Sequence, residues 1–318
     1  MTKNVLFLFD RWCNGDPRLG TTTHFHNFLA TFEKHQPDYQ THTLHYDESA
    51  LVYEKHIDQV LLRYCLSFDI KVVFLIFSGQ SPANPSFNAL TALKQYGIKV
   101  CVFYPDSNPL DLEAQVALEP IVDLIVPIDN ATGKIEQRKV DSPQYLYLWV
   151  PQSTAMFYPQ EKNIAVSFVG STRYPERAEF IRELTSKCPE IVLAGGQRET
   201  QLSHEAYASL IRRSRMSINF CGNPMGDSYT QIKSRVFEAT HCASLLFEPE
   251  WSPTSRLFEA GKEYITFNSV VELARKIQYY SENDEERARI AEAGYNKAKA
   301  RYSACSFWDK VMEKLKII

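Results

Sequence analysis

The chain has 318 residues, a length that predicts one large or two medium-sized domains. Hydrophobic residues make up 44% of it, which is enough to fill complete cores and argues against a disordered protein. The net charge of −3, from 35 basic and 38 acidic residues, argues against non-specific nucleic-acid binding, because such proteins usually carry a basic excess.

The seven cysteines are scattered along the chain, odd in number and without a C-x-x-C pair. This pattern is typical of reduced, mostly buried thiols in a cytoplasmic protein. The apolar run at the N-terminus is too short for a signal peptide, and no stretch reaches the length of a transmembrane helix. We therefore predict a cytoplasmic protein and leave open a peripheral association with the inner face of the membrane.

Strands and helices alternate in the first half of the chain. Val5–Phe9 is a continuous apolar run, as expected of a central strand in a parallel sheet. Further strands are predicted at residues 41–46, 71–77, 98–104, 122–127 and 145–150, and helices at 22–34, 53–68, 84–96 and 110–118. Asn84 is the predicted cap of the third helix, with Pro85 in its first position. This alternation predicts a doubly wound parallel α/β sheet.

The segment 151–159 interrupts this rhythm and is interpreted as a linker. A second series follows, with strands predicted at 165–169, 191–194, 216–220, 243–247 and 264–267, and helices at 176–187, 203–213, 270–281, 284–301 and 306–316. Residues 1–155 and 156–302 are therefore predicted to form two Rossmann-like domains that face each other across a cleft. The last segment, 303–318, is predicted to be a helix that returns to the first domain.

The stretch 219–248 contains the clearest signal for a ligand. A polar loop of turn-forming residues leads to a helix predicted to begin near Thr230, with Lys233 and Arg235 in its first turns. The free N–H groups and the dipole of a helix start favour a phosphate, and two cations strengthen this preference. Glu238, further along the helix, is suited to accept hydrogen bonds from ribose hydroxyls. The alternative is an ordinary βαβ crossover whose helix begins with charged residues.

Ligands of parallel α/β sheets bind beyond the C-terminal ends of the strands. The loops predicted there are residues 10–21, 78–84, 105–109, 170–174, 195–202 and 221–230. In the second domain, Gly170 and Ser171 allow a backbone to approach a ligand closely, and Arg173 is a candidate anion donor. Gly195 and Gly196 leave room for a flat group such as a nucleobase. The alternative for Arg173 is an exposed side chain in surface ion pairs.

The first-domain loops supply candidate acids and bases, namely Asp10, Asp16, His24, His26 and Asp106. Asp106 follows a predicted buried strand, where catalytic carboxylates are often placed, although it is equally suited to cap the next helix. His24 and His26 are two residues apart, do not share a helix face and lack further ligands, so no metal site is predicted. The absence of a D-x-D motif also favours metal-free diphosphate binding by Lys, Arg and a helix dipole.

Other common catalytic motifs do not occur in the sequence. There is no G-x-x-x-x-G-K-[ST], and no G-x-G-x-x-G follows the first strand. These absences argue against an NTPase and against a standard dinucleotide oxidoreductase. No G-x-S-x-G nucleophile elbow occurs either, which argues against an α/β-hydrolase.

Several segments in the second half resemble a known family. They are Arg235–Ala239 (RVFEA), Leu245–Phe247, Leu257–Glu263 (LFEAGKE), Asp284–Tyr295, and Phe168–Ser171 with Arg177. Their order and spacing resemble the C-terminal half of CgeB-type bacterial glycosyltransferases (glycosyl transferases group 1), which have the two-domain GT-B fold. The resemblance is good over residues 165–302 and thin over 1–160.

The resemblance implies that the second domain binds a nucleotide-sugar donor and that the first domain binds the acceptor. Glu238 matches the family glutamate at the donor ribose, and Arg235 would face the diphosphate. Many retaining relatives carry a second glutamate eight residues earlier, where this chain has Thr230. The stereochemical course therefore stays open.

The hypothesis from the sequence is a metal-independent glycosyltransferase without a cofactor, which uses a nucleoside diphosphate sugar as co-substrate. Its catalytic candidates are Asp16, His24 and Asp106, either as the base of an inverting reaction or as acceptor-positioning residues of a retaining one. Its predicted donor-binding residues are Gly170, Ser171, Arg173, Gly195, Gly196, Gly222, Asn223, Thr230, Lys233, Ser234, Arg235 and Glu238. The alternatives are a GT-B-like nucleotide-sugar epimerase and a non-catalytic nucleotide- or sugar-binding module. The sequence does not identify the acceptor, which could be a glycan, a lipid or a protein.

Overall fold

The structure, a computed structural model, describes residues 3–51, 55–77, 82–105, 115–128, 144–172, 174–195, 202–223 and 226–316. The chain divides into two compact units. Unit 1 combines Met1–Pro151 with Ala304–Ile318, and unit 2 is Gln152–Ser303. Each unit is built on a parallel five-stranded sheet, as the alternation of strands and helices predicts.

The sheet of unit 1 has the strand order β2-β1-β3-β4-β5. Its strands are β1 (Lys3–Leu8), β2 (Tyr39–Leu44), β3 (Ile70–Ile76), β4 (Lys99–Tyr104) and β5 (Leu124–Pro127). The α-helices with described bounds are α1 (Ala30–His35), α2 (Tyr46–Leu51), α3 (Asp58–Ser67), α4 (Phe87–Gln95) and, at the C-terminus, α10 (Ala304–Leu315). The central strands β1, β3 and β4 are mostly buried, which explains why their sequences are continuous apolar runs.

Three helix starts in unit 1 differ from the prediction. Helix α3, which was expected to begin at residue 53, begins at Asp58. The helix expected over 22–34 is a π-helix at Phe25–Leu29 that continues into α1. Helix α4 is capped by Ser86, whose hydroxyl accepts the N–H of Ala89 at 3.2 Å, and not by Asn84. The reason is that Pro85 disfavours helical geometry in the residue before it, so Asn84 stays outside the helix.

The strand predicted over 145–150 is an extended segment beside β5, with an isolated bridge between Tyr145 and Ile125. The amides of Leu146 and Leu148 donate to the carbonyls of Ile125 and Pro127 at 3.0 and 3.1 Å. The segment thus bonds to β5 as an edge strand would, over too short a length to count as one. Most of the helix predicted over 110–118 lies outside the described residues.

Helix α10 contributes the centre of the unit 1 core. Trp308 is fully buried, and its indole N–H donates to the Thr31 hydroxyl at 2.9 Å. Its ring meets Phe32 at 4.9 Å and Phe74 at 5.4 Å, both near the edge-to-face arrangement that aromatic pairs prefer. The C-terminal helix therefore belongs to unit 1, although the whole of unit 2, Gln152–Ser303, precedes it in the chain.

The sheet of unit 2 has the strand order β12-β11-β8-β6-β7. Its strands are β6 (Ile164–Val169), β7 (Ile191–Ala194), β8 (Ser214–Ile218), β11 (Leu245–Pro249) and β12 (Ile265–Phe267). Its described α-helices are α5 (Pro175–Lys187), α6 (His204–Arg213), α7 (Ser234–His241), α8 (Val270–Glu282) and α9 (Asp284–Arg301). No helix in the described part of the chain combines the length and the apolar composition needed to cross a membrane.

The helix predicted to begin near Thr230 begins four residues later, at Ser234. The residues before it form an antiparallel hairpin of β9 (Gly222–Asn223) and β10 (Gly226–Thr230), in which Thr230 pairs with Gly222. The Gln231 amide extends this pairing by donating to the Cys221 carbonyl at 3.0 Å. Because strand pairing already uses this backbone, Thr230 is unavailable for the first turn of a helix.

Gly294, in the segment Asp284–Tyr295 that resembles the family, permits a close contact between α9 and the loop before β12. A Cβ atom at this position would lie 2.5 Å from the carbonyl oxygen of Glu263. Backbone atoms cannot swing aside as a flexible side chain can. The position therefore requires glycine although it lies within a helix, where alanine is normally preferred.

We predict that Gly294→Ala lowers the free energy of unfolding by about 1–3 kcal/mol, because overpacking outweighs the gain of about 1 kcal/mol in helix propensity. Urea denaturation followed by circular dichroism measures the change. Asn296→Ala, at an exposed position two residues further along α9, is the control and should change stability by less than about 0.5 kcal/mol. A Gly294→Ala protein more stable than the wild type would contradict the close contact.

Candidate functional site

The strand order of unit 2 reverses between β6 and β8, because the chain runs from β6 outwards to β7 and from β8 outwards to β11. In open α/β sheets, ligands bind in the crevice beyond the C-terminal ends of the strands at such a point. Strand β6 ends at Val169 and β8 ends at Ile218. The loops that begin at Gly170 and Asn219 therefore flank the candidate site.

Two predicted glycines lie side by side at this edge of the sheet. The Gly170 amide donates to the Ala194 carbonyl at 3.0 Å, and a Cβ atom on Gly195 would lie 3.5 Å from the Gly170 nitrogen. Gly195 has a φ of 75°, in the left-handed region that glycine adopts without strain. The structure thus brings together the ends of β6 and β7, and Gly196 lies outside the described residues.

The Arg235 side chain, from the first turn of α7, lies against Gly170. A Cβ atom on Gly170 would lie 3.4 Å from Nη1 of Arg235, which is an ordinary van der Waals distance, and 3.0 Å from the Phe168 ring, so the guanidinium is a direct neighbour of the Gly170 backbone. Nη1 donates to the Asn219 side-chain oxygen at 3.1 Å, and the guanidinium centre lies 6.0 Å from the centre of the Tyr207 ring. Nε is buried and has no hydrogen-bond partner among the described residues. A buried guanidinium N–H without an acceptor is a favourable donor for an anionic ligand.

Glu238 lies one turn after Arg235 on α7 and is only 3% exposed. Its carboxylate accepts a short hydrogen bond from the Tyr207 hydroxyl of α6. Burial raises the pKa of Glu238, against the opposing effects of the Arg235 charge and of the Tyr207 hydrogen bond. The predicted role at a ribose would require this carboxylate to share its oxygens between Tyr207 and the ligand. Tyr207 could not be predicted from the sequence, because the spacing of residues within one helix does not show which residues of another helix lie beside it.

The start of α7 also carries the predicted basic residue Lys233. It is the N-cap residue, with extended backbone (φ −94°, ψ 151°), and its side chain forms no capping bond. The N–H groups at the start of α7, which begins with Ser234, therefore receive no bond from the N-cap side chain. Lys233 and Arg235 together give this helix end a positive potential, in addition to that of the helix dipole.

Asn219 and Glu248, the two ends of the stretch first singled out in the sequence, meet in the folded chain. Both are fully buried, and the Asn219 side-chain NH₂ donates to Oε1 of Glu248 at 2.5 Å. Burial raises the pKa of Glu248 to about 7, although the hydrogen bond from Asn219 and the charges of Arg235 and Lys233 oppose the rise. The sequence alone does not reveal this contact, because the pairing of β8 with β11 creates it.

The Arg177 side chain connects the loop that follows β6 with the loop that follows β8. Nη1 donates to the Ser171 carbonyl at 3.2 Å and Nη2 to the Gly222 carbonyl at 3.1 Å. Its guanidinium stacks over the rings of Tyr174 and Phe220, with centroid distances of 4.7 and 5.4 Å. Arg177 is thus a structural link between two predicted donor loops, a role that the sequence analysis did not assign.

An open cavity of about 440 Å³ lies beside this link, beyond the ends of β8, β11 and β12. Aromatic rings form much of its wall, and Arg177, Glu176 and Asn268 contribute polar groups; the aromatic residues are Tyr174, Phe180, Phe220, Trp251 and Phe267. Its volume lies within the range of small-molecule pockets. Of the predicted donor residues, Gly222 lines this cavity.

Three of the predicted donor residues precede α7 in the chain. Gly222, Asn223 and Thr230 lie in the hairpin before α7. Arg173 and Asp106 lie outside the described residues.

The other catalytic candidates lie in unit 1. Asp16 caps a short 3₁₀ helix by accepting the Arg18 amide, and its carboxylate pairs with the Arg18 guanidinium at 2.5 Å. His24 packs edge-on against Phe9 and Phe28 at 6.3 and 6.2 Å. In the part of the chain that the structure describes, no group of three or more His, Cys, Asp or Glu residues is arranged to hold a metal ion.

Comparison with known proteins adds a family and a fold. Residues 156–313 match the family described as glycosyl transferase-like. A comparison with curated proteins finds no match.

Three solved structures share the fold along nearly the whole chain. HepE from Anabaena, in complex with UDP-glucose, has a TM-score of 0.64 and 12% identity, covering 99% of this chain and 100% of that chain. An alpha-glucosyltransferase in complex with UDP-glucose and DNA containing an abasic site has a TM-score of 0.63 and 13% identity, with coverages of 98% and 99%. Sucrose-phosphate synthase from Thermosynechococcus elongatus has a TM-score of 0.62 and 11% identity, with coverages of 98% and 99%.

The predicted architecture of two doubly wound α/β sheets is confirmed by these similarities and by the observed strand orders. At such low identities the structural likeness concerns the fold, whereas the family match concerns the sequence of unit 2 and α10. The chain therefore has the GT-B fold, and its residues 156–313 are similar to the glycosyl transferase-like family.

Proposed function

We propose that the protein is a metal-independent glycosyltransferase of the CgeB type, which moves a sugar from a nucleoside diphosphate to an acceptor hydroxyl. The observation that carries the proposal is the half-buried Arg235 guanidinium, which lies against Gly170 at the switch point of the unit 2 sheet. The family match of residues 156–313 supports the same reaction class.

In this proposal the donor diphosphate binds between the Gly170 backbone and the start of α7. Glycosyl transfer leaves a nucleoside diphosphate, so negative charge develops on the leaving phosphate in the transition state. Arg235, Lys233 and the N–H groups of the helix start would stabilise that charge without reorganising, which is the usual source of the largest catalytic effect. An arginine cannot be deprotonated near neutral pH, so its charge is always present.

Metal independence follows from the same arrangement. Two basic side chains and a helix dipole supply the positive charge that a divalent cation would otherwise provide. The lack of a D-x-D motif in the sequence supports this proposal.

The nucleoside is proposed to extend from the diphosphate towards Gly195, with its ribose at Glu238. Tyr207 would then hold the carboxylate in place from one side while ribose hydroxyls donate to it from the other. Charge-assisted hydrogen bonds of this kind are stronger than neutral ones, and they would favour a ligand that retains its ribose hydroxyls.

The acceptor is proposed to bind to unit 1. Of the two described candidates for a base, His24 is better suited than Asp16, because the Asp16 carboxylate already pairs with Arg18. Asp106 stays a third candidate. Thr230 lacks the carboxylate of retaining relatives and lies in strand β10, so the proposal leaves the stereochemical course open, as it does the acceptor and the sugar.

A cytoplasmic location is proposed from the cysteines. All seven are free thiols, and five of them are buried, as is usual for proteins of a reducing compartment.

A first experiment separates the proposal from its rivals. Calorimetry or thermal shift with UDP, GDP, CDP, ADP and dTDP, each with and without its sugar, identifies the donor base. Binding without any turnover, even with candidate acceptors, would favour a non-catalytic module. Interconversion of the nucleotide sugar without an acceptor would favour an epimerase.

We predict that Arg235→Ala weakens binding of the preferred nucleoside diphosphate by about 10- to 100-fold, because it removes about 1.5–3 kcal/mol of charged hydrogen bonding. Binding of the corresponding nucleoside, which lacks phosphates, should stay within about twofold of the wild type. Arg182→Ala, which removes an exposed arginine of α5, is the matched control and should leave both affinities unchanged. Equal losses for both ligands in Arg235→Ala would refute the phosphate assignment.

We predict that Glu238→Ala weakens the nucleoside and the nucleoside diphosphate by the same factor, about tenfold, because both ligands carry the ribose. Titrations with analogues that lack a ribose hydroxyl sharpen the test. The wild type should bind these analogues more weakly than the parent nucleotide. Glu238→Ala should bind the analogues and the parent nucleotide with nearly equal affinity, as expected from a double-mutant cycle. Glu292→Ala, at an exposed position on α9, serves as the control. An unchanged preference for the ribose hydroxyls in Glu238→Ala would contradict the assignment.

A further inference from the structure

We propose that Asn219 and Glu248 are positioning residues for Arg235, and that Glu248 acts through its hydrogen-bond acceptor oxygen rather than through its charge. This inference rests on the proposed function, because it takes Arg235 as the residue that binds the donor diphosphate. Neither Asn219 nor Glu248 is proposed to touch the substrate.

The three side chains form a continuous hydrogen-bonded row from the sheet to the site. Oε1 of Glu248 accepts from the Asn219 NH₂ at 2.5 Å, and the Asn219 oxygen accepts from Nη1 of Arg235 at 3.1 Å. Asn219 and Glu248 are both fully buried. Water therefore cannot replace either partner without a rearrangement of the sheet edge.

The row fixes the orientation of the Asn219 amide. An amide group can rotate by a half turn and exchange its oxygen for its NH₂. An ionised carboxylate only accepts hydrogen bonds, so the NH₂ must face Glu248 and the oxygen must face Arg235. In the opposite orientation, NH₂ would face a guanidinium that has only donors, and the contact would be lost. Glu248 thus determines that Arg235 finds an acceptor at Asn219.

This contact determines where the remaining donors of Arg235 lie. Its Nη1 donates to the Asn219 oxygen and lies close to the Gly170 backbone. Its Nε has no acceptor among the described residues. A long arginine side chain without such a contact samples many rotamers, and fixing it costs entropy at the moment of binding. A guanidinium that is already fixed before the ligand binds avoids part of this entropy cost.

The acceptor oxygen, and not the charge, carries the positioning role. Oε2 of Glu248 has no hydrogen-bond partner in the described part of the chain, whereas Oε1 accepts from Asn219. Protonation on Oε2 would therefore leave the row intact. Glutamine at this position keeps an acceptor oxygen and should preserve the row as well, whereas leucine removes it.

The charge of Glu248 has a separate, opposing effect. Lys233 and Arg235 face the carboxylate from the start of α7, Ser252 from the loop after β11, and Tyr264 from the segment before β12. The buried negative charge lowers the positive potential that a diphosphate meets at Arg235. Since the pKa of Glu248 is raised to about 7, mainly by burial, the carboxylate gains a proton as the pH falls through this value. Diphosphate affinity should therefore rise as the pH falls.

The test compares the ratio of nucleoside diphosphate affinity to nucleoside affinity among full-length variants. The probes are whichever of UDP, GDP, CDP, ADP and dTDP binds the wild type, and the matching nucleoside. We predict that Glu248→Leu lowers the ratio by about tenfold or more, and that Glu248→Gln keeps it within about threefold at pH 8. Glu250→Leu and Glu250→Gln, at the exposed position two residues further on, are the matched controls and should not change it.

The pH profile gives a second, independent readout. From about pH 8 to pH 6 the ratio should rise more steeply in the wild type than in Glu248→Gln, because only the wild type carries the titrating carboxylate. Protonation of the nucleotide itself affects both proteins equally and cancels in the comparison. Identical profiles would refute the effect of the Glu248 charge on the site. If Glu248→Leu fails to fold, Asn219→Ala takes its place, because it removes the acceptor of Arg235 Nη1 and should lower the ratio by about tenfold. An unchanged ratio in a folded Asn219→Ala protein would refute the positioning role.

The outcomes separate this inference from the function on which it rests. If Arg235→Ala lowers the ratio and a folded Glu248→Leu does not, the positioning role is refuted and the phosphate assignment stands. If Arg235→Ala leaves the ratio unchanged, the phosphate assignment fails and the positioning role fails with it. A general structural role for Glu248 predicts lower stability in Glu248→Leu with an unchanged ratio, which would also refute the proposal.

Discussion

The candidate site depends on a permanent positive charge, that of Arg235, held in a half-buried position at the edge of a parallel sheet. Burial of a charge is unfavourable unless surrounding groups compensate it. Here the compensation comes from three directions: the Asn219 oxygen, the Tyr207 ring and hydroxyl, and the carboxylates of Glu238 and Glu248. Each of these groups thereby has a defined position around the guanidinium, which also neighbours the Gly170 backbone.

Two buried carboxylates near one guanidinium would be an excess of negative charge if both were always ionised. Burial resolves this by raising the pKa of both, and that of Glu248 to about 7. The protein therefore keeps the hydrogen-bonding capacity of both carboxyl groups, while the charge of Glu248 is reduced at neutral pH. A diphosphate that binds at Arg235 would reduce it further, since an added anion favours protonation of its neighbours. Ligand charge and site charge are coupled in this way.

The hairpin before α7 and the Arg177 link determine the shape of the loops around this charge. A helix beginning at Thr230 would have placed Arg235 within its second turn, away from the free N–H groups. Because β9 and β10 pair instead, the helix starts at Ser234, and both cations lie at its very beginning. Arg177 then fixes the hairpin to the Gly170 loop through two carbonyls, so that the loops of β6 and β8 keep their spacing.

The sequence by itself determined the doubly wound character of both units, because apolar runs alternate with amphipathic helices at spacings that only a parallel sheet satisfies. It also singled out Lys233, Arg235 and Glu238, since a turn-rich loop before a charged helix start is a local pattern. Local patterns cannot contain partners from other strands, so Tyr207, Asn219 and Glu248 acquired their roles only in the tertiary structure, where β8 pairs with β11 and α6 packs beside α7. The first residue of α7 was likewise set by the tertiary structure, because the antiparallel pairing of Thr230 with Gly222 keeps the residues before Ser234 out of the helix.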